Sequence, residues 1–383
     1  MRIVYFPSHN SFADGSFLSM VSMVRILRDD YNIDPFVVLT NKGYGQKLLD
    51  ENHIPYQVVQ YYPWVMPINK TVRSISRSFK RYFLNPIALC KIKKLFEEIK
   101  PDLVHINTSL VHIGAVAAYS KKIPVVWHIR EYLEEDLSLS FSNKKYSYQM
   151  LNKANKVIAI SEGLKAKYNK LLTGNNIVVV YNGVDIEKYY NPEKNIFTNN
   201  KNITFIITGR LHPKKGHKEL LDALKIVYDK GYHNFTLHIV GRGRREELNL
   251  KNQTKELDLE ENIVFDGFHL NTEDYYKKAD VMFMTSKCEA FGRVTVEAMM
   301  GGLLVIGSDT GANPEIIGEQ YGYLYHQGNS EDLADKIIYV LEHIDEARTK
   351  MQAGRQRALE LFSSDKNAAE IYKLYTEILD SEC

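Results

Sequence analysis

Two glutamates, Glu289 and Glu297, stand on either side of a segment whose residue types suit an anion. The apolar run Val281–Thr285 predicts a buried strand that leads into a surface loop. Phe291 and Gly292 then begin a predicted helix, whose first N–H groups lack intrahelical partners and whose dipole favours negative charge. The helix start therefore predicts a phosphate-type anion site. Glutamates beside such a site are suited to accept hydrogen bonds from hydroxyls, as a sugar or a ribose would supply.

A second loop supplies positive charge. The predicted strand Ile203–Thr208 ends in Gly209, and Arg210 and Lys215 follow within one loop. Arginine offers a fixed fork of donors and lysine a mobile charge, so the two can stabilise negative charge that grows on a departing phosphate. Each charge-assisted hydrogen bond contributes about 1.5–3 kcal/mol, so three or four could replace a metal ion as the electrophile. The alternative interpretation is a solvated basic turn.

The chain resembles the retaining glycosyltransferases of family four, the glycosyl transferases group 1, in three motifs. They are Glu289-x7-Glu297, Gly209-Arg210-Leu211 with Lys214-Lys215-Gly216, and Tyr181-Asn182-Gly183-Val184-Asp185. The resemblance runs nearly the full length. It implies the α/β architecture called GT-B, in which two Rossmann-like domains with parallel sheets face each other across a cleft. It also implies a nucleotide-diphosphate sugar, either a UDP-sugar or a GDP-sugar, as the donor.

Four residues are the candidates for catalysis. They are His128, Arg210, Lys215 and Glu289. His128 ends the predicted strand Pro124–His128, where ligands of α/β folds collect, and the resemblance implies that it contacts the donor sugar near the reacting carbon. The alternative is a structural histidine that caps the strand. Glu289 would hold sugar hydroxyls, and a covalent nucleophile is its minor alternative. Arg130 and Glu131 either pair with each other or meet the acceptor.

Seven residues are predicted to bind the nucleotide sugar. They are Gly15, Gly209, Phe268, Phe291, Gly292, Arg293 and Glu297. Glu297 would accept from the ribose, and Phe268 follows a strand whose family counterpart lies beside the nucleotide base. Family members carry paired glycines in the first loop, whereas this chain has Gly15 alone, so a plain strand-to-helix turn explains that loop about as well. The loop Gly311–Glu315 also departs from the family pattern, because it has Ala312 where the family has a second glycine.

The expected reaction needs neither a metal ion nor another cofactor. The chain contains no Asp-x-Asp and no His-Glu-x-x-His metal motif. The resemblance implies that an acceptor hydroxyl attacks from the face that the phosphate leaves, that the phosphate can take its proton, and that configuration is retained. The predicted acceptor is a glycan or a lipid-linked glycan, as in the synthesis of bacterial surface polysaccharides.

Two other classes of function stay open. One is a nucleotide-sugar epimerase or a phosphorylase on the same architecture, although the lysine motif with which a phosphorylase binds its cofactor is not recognisable. The other is a non-catalytic subunit that binds a nucleotide or scaffolds a complex. The single glycine of the first loop favours that alternative. The candidate catalytic residues argue against it, because a binding subunit has no need of them.

The chain length of 383 residues allows two domains with separate cores. We predict an N-terminal, acceptor-side domain over 1–188 and a C-terminal, nucleotide-sugar domain over 189–362. Residues 363–383 are predicted to form a final helix, which in the family crosses back to the first domain. The stretch 185–201, rich in Asn, Lys and Pro, predicts a linker. The stretch 333–361 is expected to be helical.

The segment from Asn52 to Phe96 contains eight basic residues and no acidic one, against a net charge of +2 for the whole chain. The basic residues are Lys70, Arg73, Arg77, Lys80, Arg81, Lys91, Lys93 and Lys94. If 72–83 is helical, its apolar residues lie on one side of the helix and its basic residues on another. The apolar residues are Val72, Ile75, Phe79, Tyr82 and Phe83. This pattern predicts that 70–94 contacts an anionic membrane or a lipid acceptor. The alternatives are a core-packed helix with a solvated basic face and a site for an anionic acceptor. No motif suggests nucleic acid.

The predicted location is the cytoplasm, with peripheral attachment to the inner face of the membrane. Three scattered cysteines without metal spacing fit a reducing compartment. The apolar run at the N-terminus is too short for a signal peptide. No segment approaches the roughly 20 apolar residues that cross a bilayer.

Overall fold

The computed structural model describes residues 1–8, 15–69, 72–174, 176–198 and 202–381, without the side chains of 72–75, 77 and 78. Contacts divide the chain into two compact units. The N-terminal unit comprises Met1–Gly183 with Ser364–Cys383, and the C-terminal unit comprises Val184–Ser363. The first boundary therefore falls before residue 188, and the C-terminal helix is part of the N-terminal unit.

A seven-stranded parallel sheet forms the centre of the N-terminal unit, in the order β3-β2-β1-β5-β6-β8-β9, and β4 pairs with β7 in a separate antiparallel ribbon. The strands are β1 (Arg2–Phe6), β2 (Asp34–Leu39), β3 (Tyr56–Val58), β4 (Val65–Pro67), β5 (Leu103–Ile106), β6 (Val125–Ile129), β7 (Leu139–Phe141), β8 (Lys156–Ala159) and β9 (Ile177–Val179). The helices are α1 (Gly15–Tyr31), α2 (Tyr44–Glu51), α3 (Val72–Ile99), α4 (Ile113–Ser120), α5 (Lys144–Asn152), α6 (Glu162–Asn169) and α16 (Ser364–Asp380).

A six-stranded parallel sheet forms the centre of the C-terminal unit, in the order β12-β11-β10-β13-β14-β15. The strands are β10 (Ile203–Thr208), β11 (Phe235–Val240), β12 (Ile263–Gly267), β13 (Val281–Met284), β14 (Leu304–Ser308) and β15 (Tyr323–Tyr325). The helices are α7 (Ile186–Tyr189), α8 (His217–Asp229), α9 (Arg244–Glu256), α10 (Glu273–Tyr276), α11 (Arg293–Met300), α12 (Asn313–Ile316), α13 (Gly318–Tyr321), α14 (Ser330–Glu342) and α15 (Ile344–Leu361).

Each sheet has its own apolar core. Strands covered on both faces have near-continuous apolar sequences, which is why the runs of Val, Ile and Phe could be recognised. In the C-terminal unit Phe205 and Phe283 meet edge to face at 5.3 Å. In the N-terminal unit α16 contributes Ile371 and Tyr375 to the core that α1 and the first strands build.

One expectation about secondary structure is wrong. The stretch 185–201 is not an irregular linker throughout, because it contains α7, and Ile196 and Phe197 are buried in the C-terminal core. The stretch 333–361 is helical as expected, and it consists of two helices. His343 separates α14 from α15 with non-helical backbone angles, and its ring stacks on Tyr339 at 4.0 Å.

Among the described residues, no helix has both the length and the apolar character of a membrane span. No group of three or more His, Cys, Asp or Glu is arranged there as metal ligands.

Candidate functional site

The C-terminal sheet places two predicted loops side by side. β10 is bonded to β11 on one side and to β13 on the other, so the connections that leave β10 and β13 diverge. In open parallel sheets ligands bind at such a switch point, outside the carboxyl ends of the strands. The loop 209–216 follows β10 and the loop 285–292 follows β13. The predicted basic residues and the predicted glutamate are therefore brought to one edge.

Hydrogen bonds hold these two loops together. The Thr285 hydroxyl donates to the carbonyl of Lys215 at 2.8 Å, and the Lys287 amide donates to the carbonyl of Lys214 at 2.9 Å. Gly216 has a φ of +72°, and a Cβ there would overlap the carbonyl oxygen of Thr285. Glycine is needed at 216 both for its backbone conformation and for this close approach.

Lys215 and Glu289, predicted to act on the donor, form an ion pair with each other. The Lys215 Nζ donates to Glu289 Oε1, and the two side chains are 29% and 14% exposed. Arg210 lies on the same loop and is exposed. The amide of Leu211, next to it, donates to the carbonyl of Arg242 at 2.9 Å. The edge thus presents exposed and half-exposed cations to a ligand, with one carboxylate among them.

The helix that was predicted to begin at Phe291-Gly292 begins at Arg293, with Gly292 as its N-cap in a left-handed conformation. The Phe291 ring is buried and meets Phe362 edge to face at 5.5 Å, so only its backbone is suited to meet a ligand. In the first turn of α11 the buried hydroxyl of Thr295 has no partner among the described residues. This helix start keeps polar groups that a ligand can satisfy.

Glu297 is buried, and its neighbours hold it in place. Arg293 Nε donates to Glu297 Oε1 at 2.8 Å, and the Tyr276 hydroxyl donates to Oε2 at 3.5 Å. Burial raises the pKa of Glu297, and the Arg293 guanidinium opposes that shift. The Tyr276 hydroxyl also lies 3.2 Å from Thr208 Oγ1. The spacing of Arg293 and Glu297 in one helix signals their pairing, whereas nothing in the sequence singles out Tyr276.

Phe268 follows β12 and is exposed, and the Arg242 guanidinium lies 4.9 Å from the centre of its ring. The sequence alone assigns no role to Arg242, because a short pair of glycines after a strand is a weak signal. Gly241 and Gly243 pack against the carbonyl groups of Gly209 and Leu211. They therefore bring Arg242 beside the basic loop.

The departure at Ala312 has a simple structural explanation. The glycine that matters is Gly311, with a φ of +62° and no room for a Cβ against the backbone of Glu289. Ala312 has ordinary right-handed helical angles, and its amide donates to the carbonyl of Glu289 at 2.8 Å. The loop therefore supports Glu289 without a second glycine.

In the N-terminal unit His128 belongs to a buried polar network. Its Nδ1 lies 3.2 Å from Nε2 of His105, and the Nδ1 of His105 lies 2.7 Å from the hydroxyl of Tyr375 on α16. The Arg130 guanidinium donates to Asn107 Oδ1 at 3.0 Å and to Asn182 Oδ1, and its Nη2 lies 3.3 Å from His128 Nδ1. Burial holds the pKa of both histidines well below the ordinary value, so both are neutral. The His128 Nε2 atom has no partner among the described residues.

Arg130 and Glu131 do not pair through their side chains. The Glu131 carboxylate accepts from Thr108 Oγ1 at 2.6 Å, from Ser109 Oγ at 2.9 Å and from the Ser109 amide at 3.0 Å. These bonds fix the loop that follows β5. The Arg130 amide also donates to Glu131 Oε2 at 3.3 Å, so the two residues are bonded through backbone and carboxylate. A contact of either residue with the acceptor stays a prediction.

Gly15 is the exposed first residue of α1, with no atom within 4 Å of where a Cβ would be. The loop residues 9–14 before it lie outside the described part of the chain. Its predicted contact with the donor stays a prediction.

Three side chains of α3, namely Phe79, Tyr82 and Phe83, form what we call the α3 aromatic patch. They are 64%, 76% and 63% exposed, so they do not pack in a core. The Arg81 side chain is not part of this patch, because its Nη1 donates to Ser142 Oγ at 2.6 Å. Lys70 and the side chains of Val72, Arg73, Ile75 and Arg77 lie outside the described residues.

The fold was compared with solved structures. A crystal structure of Anabaena HepE in complex with UDP matches 98% of this chain and 100% of its own, with a TM-score of 0.83 and 24% identity. A glycosyltransferase from Rickettsia africae matches 99% of this chain and 98% of its own, with a TM-score of 0.81 and 21% identity. Two Rossmann-like units of this kind define the GT-B class of glycosyltransferases.

Within that class the sequence identifies the family. Residues 191–357 match the family described as glycosyl transferases group 1, and residues 37–188 match glycosyltransferase family 4. The chain belongs to the group 1 glycosyltransferases of family 4. It is 25% identical to an uncharacterized glycosyltransferase of Methanocaldococcus jannaschii over 99% of this chain and 98% of the relative. It is 28% identical to the capsular polysaccharide biosynthesis glycosyltransferase CapM of Staphylococcus aureus over 76% of this chain and 81% of the relative.

Proposed function

We propose that this glycosyltransferase transfers a hexose-type sugar from a UDP-sugar to a glycan or lipid-linked glycan, with retention of configuration and without a metal ion. The observation that carries the proposal is the group of cations around the loops after β10 and β13. UDP is preferred to GDP because two similarly folded proteins, HepE and TarM, have been crystallised with UDP, and HepE also with UDP and glucose. A surface glycan as acceptor is supported by relatives whose names refer to capsular polysaccharide and to poly(ribitol-phosphate).

The basic loop stabilises the leaving diphosphate. Arg210 is exposed and free to bind phosphate oxygens in a forked geometry, and Lys215 adds a mobile charge. The amides at the start of α11 add donors without a net charge. Three or four such contacts, at about 1.5–3 kcal/mol each, stabilise the charge that develops on the phosphate as the bond to the sugar breaks.

The ion pair of Lys215 and Glu289 couples donor binding to sugar binding. A diphosphate competes with Glu289 for the ammonium of Lys215. When Lys215 turns to the phosphate, the Glu289 carboxylate is released to accept hydrogen bonds from sugar hydroxyls. The residues that bind the two halves of the donor thus exchange partners in one step.

Retention follows if the acceptor hydroxyl attacks from the face that the phosphate leaves. The departing phosphate oxygen takes the proton of that hydroxyl, so no protein base is required. Glu131 is not available as a nucleophile, because its carboxylate accepts three hydrogen bonds from Thr108 and Ser109. The unpartnered Nε2 of His128 supplies a polar contact to the sugar.

An anionic membrane, where a lipid-linked acceptor resides, is the partner that we propose for the α3 aromatic patch. Its three aromatic side chains stand out from a segment that carries basic residues and no acidic ones between Asn52 and Phe96. Exposed aromatic rings favour the lipid interface, and neighbouring lysines favour anionic head groups.

The test is sugar transfer from a panel of UDP-sugars and GDP-sugars to glycan and lipid-linked acceptors, with EDTA present. We expect release of UDP, a product that keeps the anomeric configuration by NMR, and a loss of about 100-fold in turnover for Arg210→Ala. Lys255→Ala, an exposed cation at the far end of α9, is the matched control and should keep full activity.

Each part of the proposal can fail separately. No release from any donor would reject transfer, and interconversion of sugars without release would indicate an epimerase. Activity that EDTA abolishes and manganese restores would reject metal-free chemistry. An inverted product would reject retention.

A further inference from the structure

We infer that Arg130, His105 and Tyr375 together fix the tautomer of His128, so that His128 presents a protonated Nε2 to the donor sugar. This inference deepens the proposed function and rests on it for the ligand. The tautomer itself follows from contacts within the N-terminal unit. Tyr375 and His105 are positioning residues, because neither is assigned a contact with the sugar.

The donor and acceptor of each hydrogen bond can be assigned by starting from Arg130. A guanidinium has only donors, so the contact of 3.3 Å between Arg130 Nη2 and His128 Nδ1 requires a lone pair on that nitrogen. The second neighbour of His128 Nδ1 is His105 Nε2, at 3.2 Å. Because Nδ1 of His128 accepts, Nε2 of His105 must carry the proton.

The same reasoning extends to α16. His105 is buried and neutral, so with its proton on Nε2 its Nδ1 is an acceptor. The Tyr375 hydroxyl lies 2.7 Å from that Nδ1 and donates to it. The Tyr375 hydroxyl has one hydrogen, and its other possible acceptor is the Tyr5 hydroxyl at 3.4 Å. The hydrogen lies with His105 Nδ1, because that acceptor is much closer, at 2.7 Å.

These assignments determine which nitrogen of His128 carries the proton. His128 is neutral and unprotonated at Nδ1, so its proton is on Nε2. That N–H is buried and has no partner among the described residues. Leaving such a donor unsatisfied is costly, and a buried donor without a partner is uncommon in folded proteins. A sugar oxygen supplies the missing acceptor, and the network ensures that it meets a donor.

The first test is spectroscopic and needs no substrate. Long-range ¹H–¹⁵N spectra of the full-length protein, labelled in histidine and assigned with His128→Gln, should show His128 protonated at Nε2 and unprotonated at Nδ1. Tyr375→Phe should introduce a population of His128 protonated at Nδ1. Tyr5→Phe, which removes the adjacent buried hydroxyl, is the matched control and should leave the spectrum unchanged.

The second test is kinetic. Tyr375→Phe should lower kcat/KM for the donor roughly tenfold, the effect of one misplaced hydrogen bond. His105→Gln keeps an N–H donor towards His128 and should retain most activity, whereas His105→Leu should not. Thermal unfolding of each variant separates these effects from a loss of folded protein.

The outcomes distinguish this inference from the proposed function. An unchanged His128 tautomer in Tyr375→Phe, or an equal change in Tyr5→Phe, would overturn the inference even if transfer were observed. The expected spectra in a protein that transfers no sugar would uphold the tautomer and reject the function.

Discussion

Replacing Glu289 with glutamine should tighten the binding of UDP while it slows sugar transfer. In the free protein Glu289 holds the ammonium of Lys215, with 14% and 29% of the two side chains exposed. A pair with this much solvent contact contributes up to about 1 kcal/mol. Because the diphosphate must draw Lys215 away from that partner, removing the pair should lower the Kd for UDP about fivefold. UDP carries no sugar, so the contact of Glu289 with sugar hydroxyls does not enter this measurement.

Transfer should change in the opposite direction. Glutamine leaves the sugar hydroxyls only a neutral amide oxygen as acceptor, which binds them less strongly than a carboxylate, and kcat/KM should fall about 100-fold. Calorimetric titration with UDP and an initial-rate assay of transfer give the two quantities on the same preparation. Glu331→Gln, an exposed carboxylate at the start of α14, is the control for the change in net charge.

A double-mutant cycle separates the ion pair from the general loss of negative charge. In a Lys215→Met background the substitution Glu289→Gln should leave the affinity for UDP nearly unchanged, because the competing contact is already absent. If it tightens UDP as much there as in the wild type, only long-range electrostatics is involved. If it weakens UDP in the wild-type background, the exchange of partners is refuted.

Three further perturbations test other parts of the molecule. Serine at all three positions of the α3 aromatic patch should abolish sedimentation with phosphatidylglycerol vesicles, whereas serine at Leu248, an equally exposed residue of α9, should not; retained binding would reject the membrane contact. Gly216→Ala should lower the free energy of unfolding in urea by about 2–3 kcal/mol, since the methyl group meets the Thr285 carbonyl in addition to the backbone strain. Gly231→Ala, with a φ of +97° and open space, should lose only about 1 kcal/mol, and equal losses would contradict the overlap. Burial raises the pKa of Glu297, so its contribution to stability is full below the ordinary value of 4.5 and is lost as the pH rises through the raised pKa. Urea unfolding should therefore show wild type losing stability relative to Glu297→Gln as the pH rises above 4.5, and a constant difference would exclude the shift.

The sequence indicates the class of fold because parallel strands that are buried on both faces have continuous apolar sequences. Ile203–Thr208 and Val281–Thr285 were recognised in this way, and the structure has strands at both. Breaks within helical regions were harder to see. His343 has no helix-breaking chemistry of its own, so only its backbone angles reveal that two helices meet there.

The contacts among site residues show where sequence reasoning stops. Arg293 and Glu297 are four residues apart in one helix, so the sequence spacing predicts that their side chains pair. Lys215 and Glu289 lie on different loops, and only the order of the strands brings them together. The contact of Tyr375 with His105 depends on α16 joining the first sheet, which no local pattern specifies.

The helical periodicity of α3 also had two interpretations that the sequence could not separate. An apolar stripe predicts burial against either a core or a membrane, since both remove it from water. The exposure of Phe79, Tyr82 and Phe83 removes the first alternative for these residues. Any group that covers these three side chains must therefore come from outside the part of the chain that the structure describes.

The membership of α16 in the N-terminal unit has a consequence for biosynthesis. Ala368, Ile371 and Tyr375 of α16 complete a core whose members outside this helix lie between Ile3 and Val180. During translation this core stays incomplete until α16 has left the ribosome, after the C-terminal unit already has all of its sequence. We expect nascent chains that stop at residue 363 to hold a finished second unit and an unfinished first one, open to proteases and chaperones at the surface that α16 would cover.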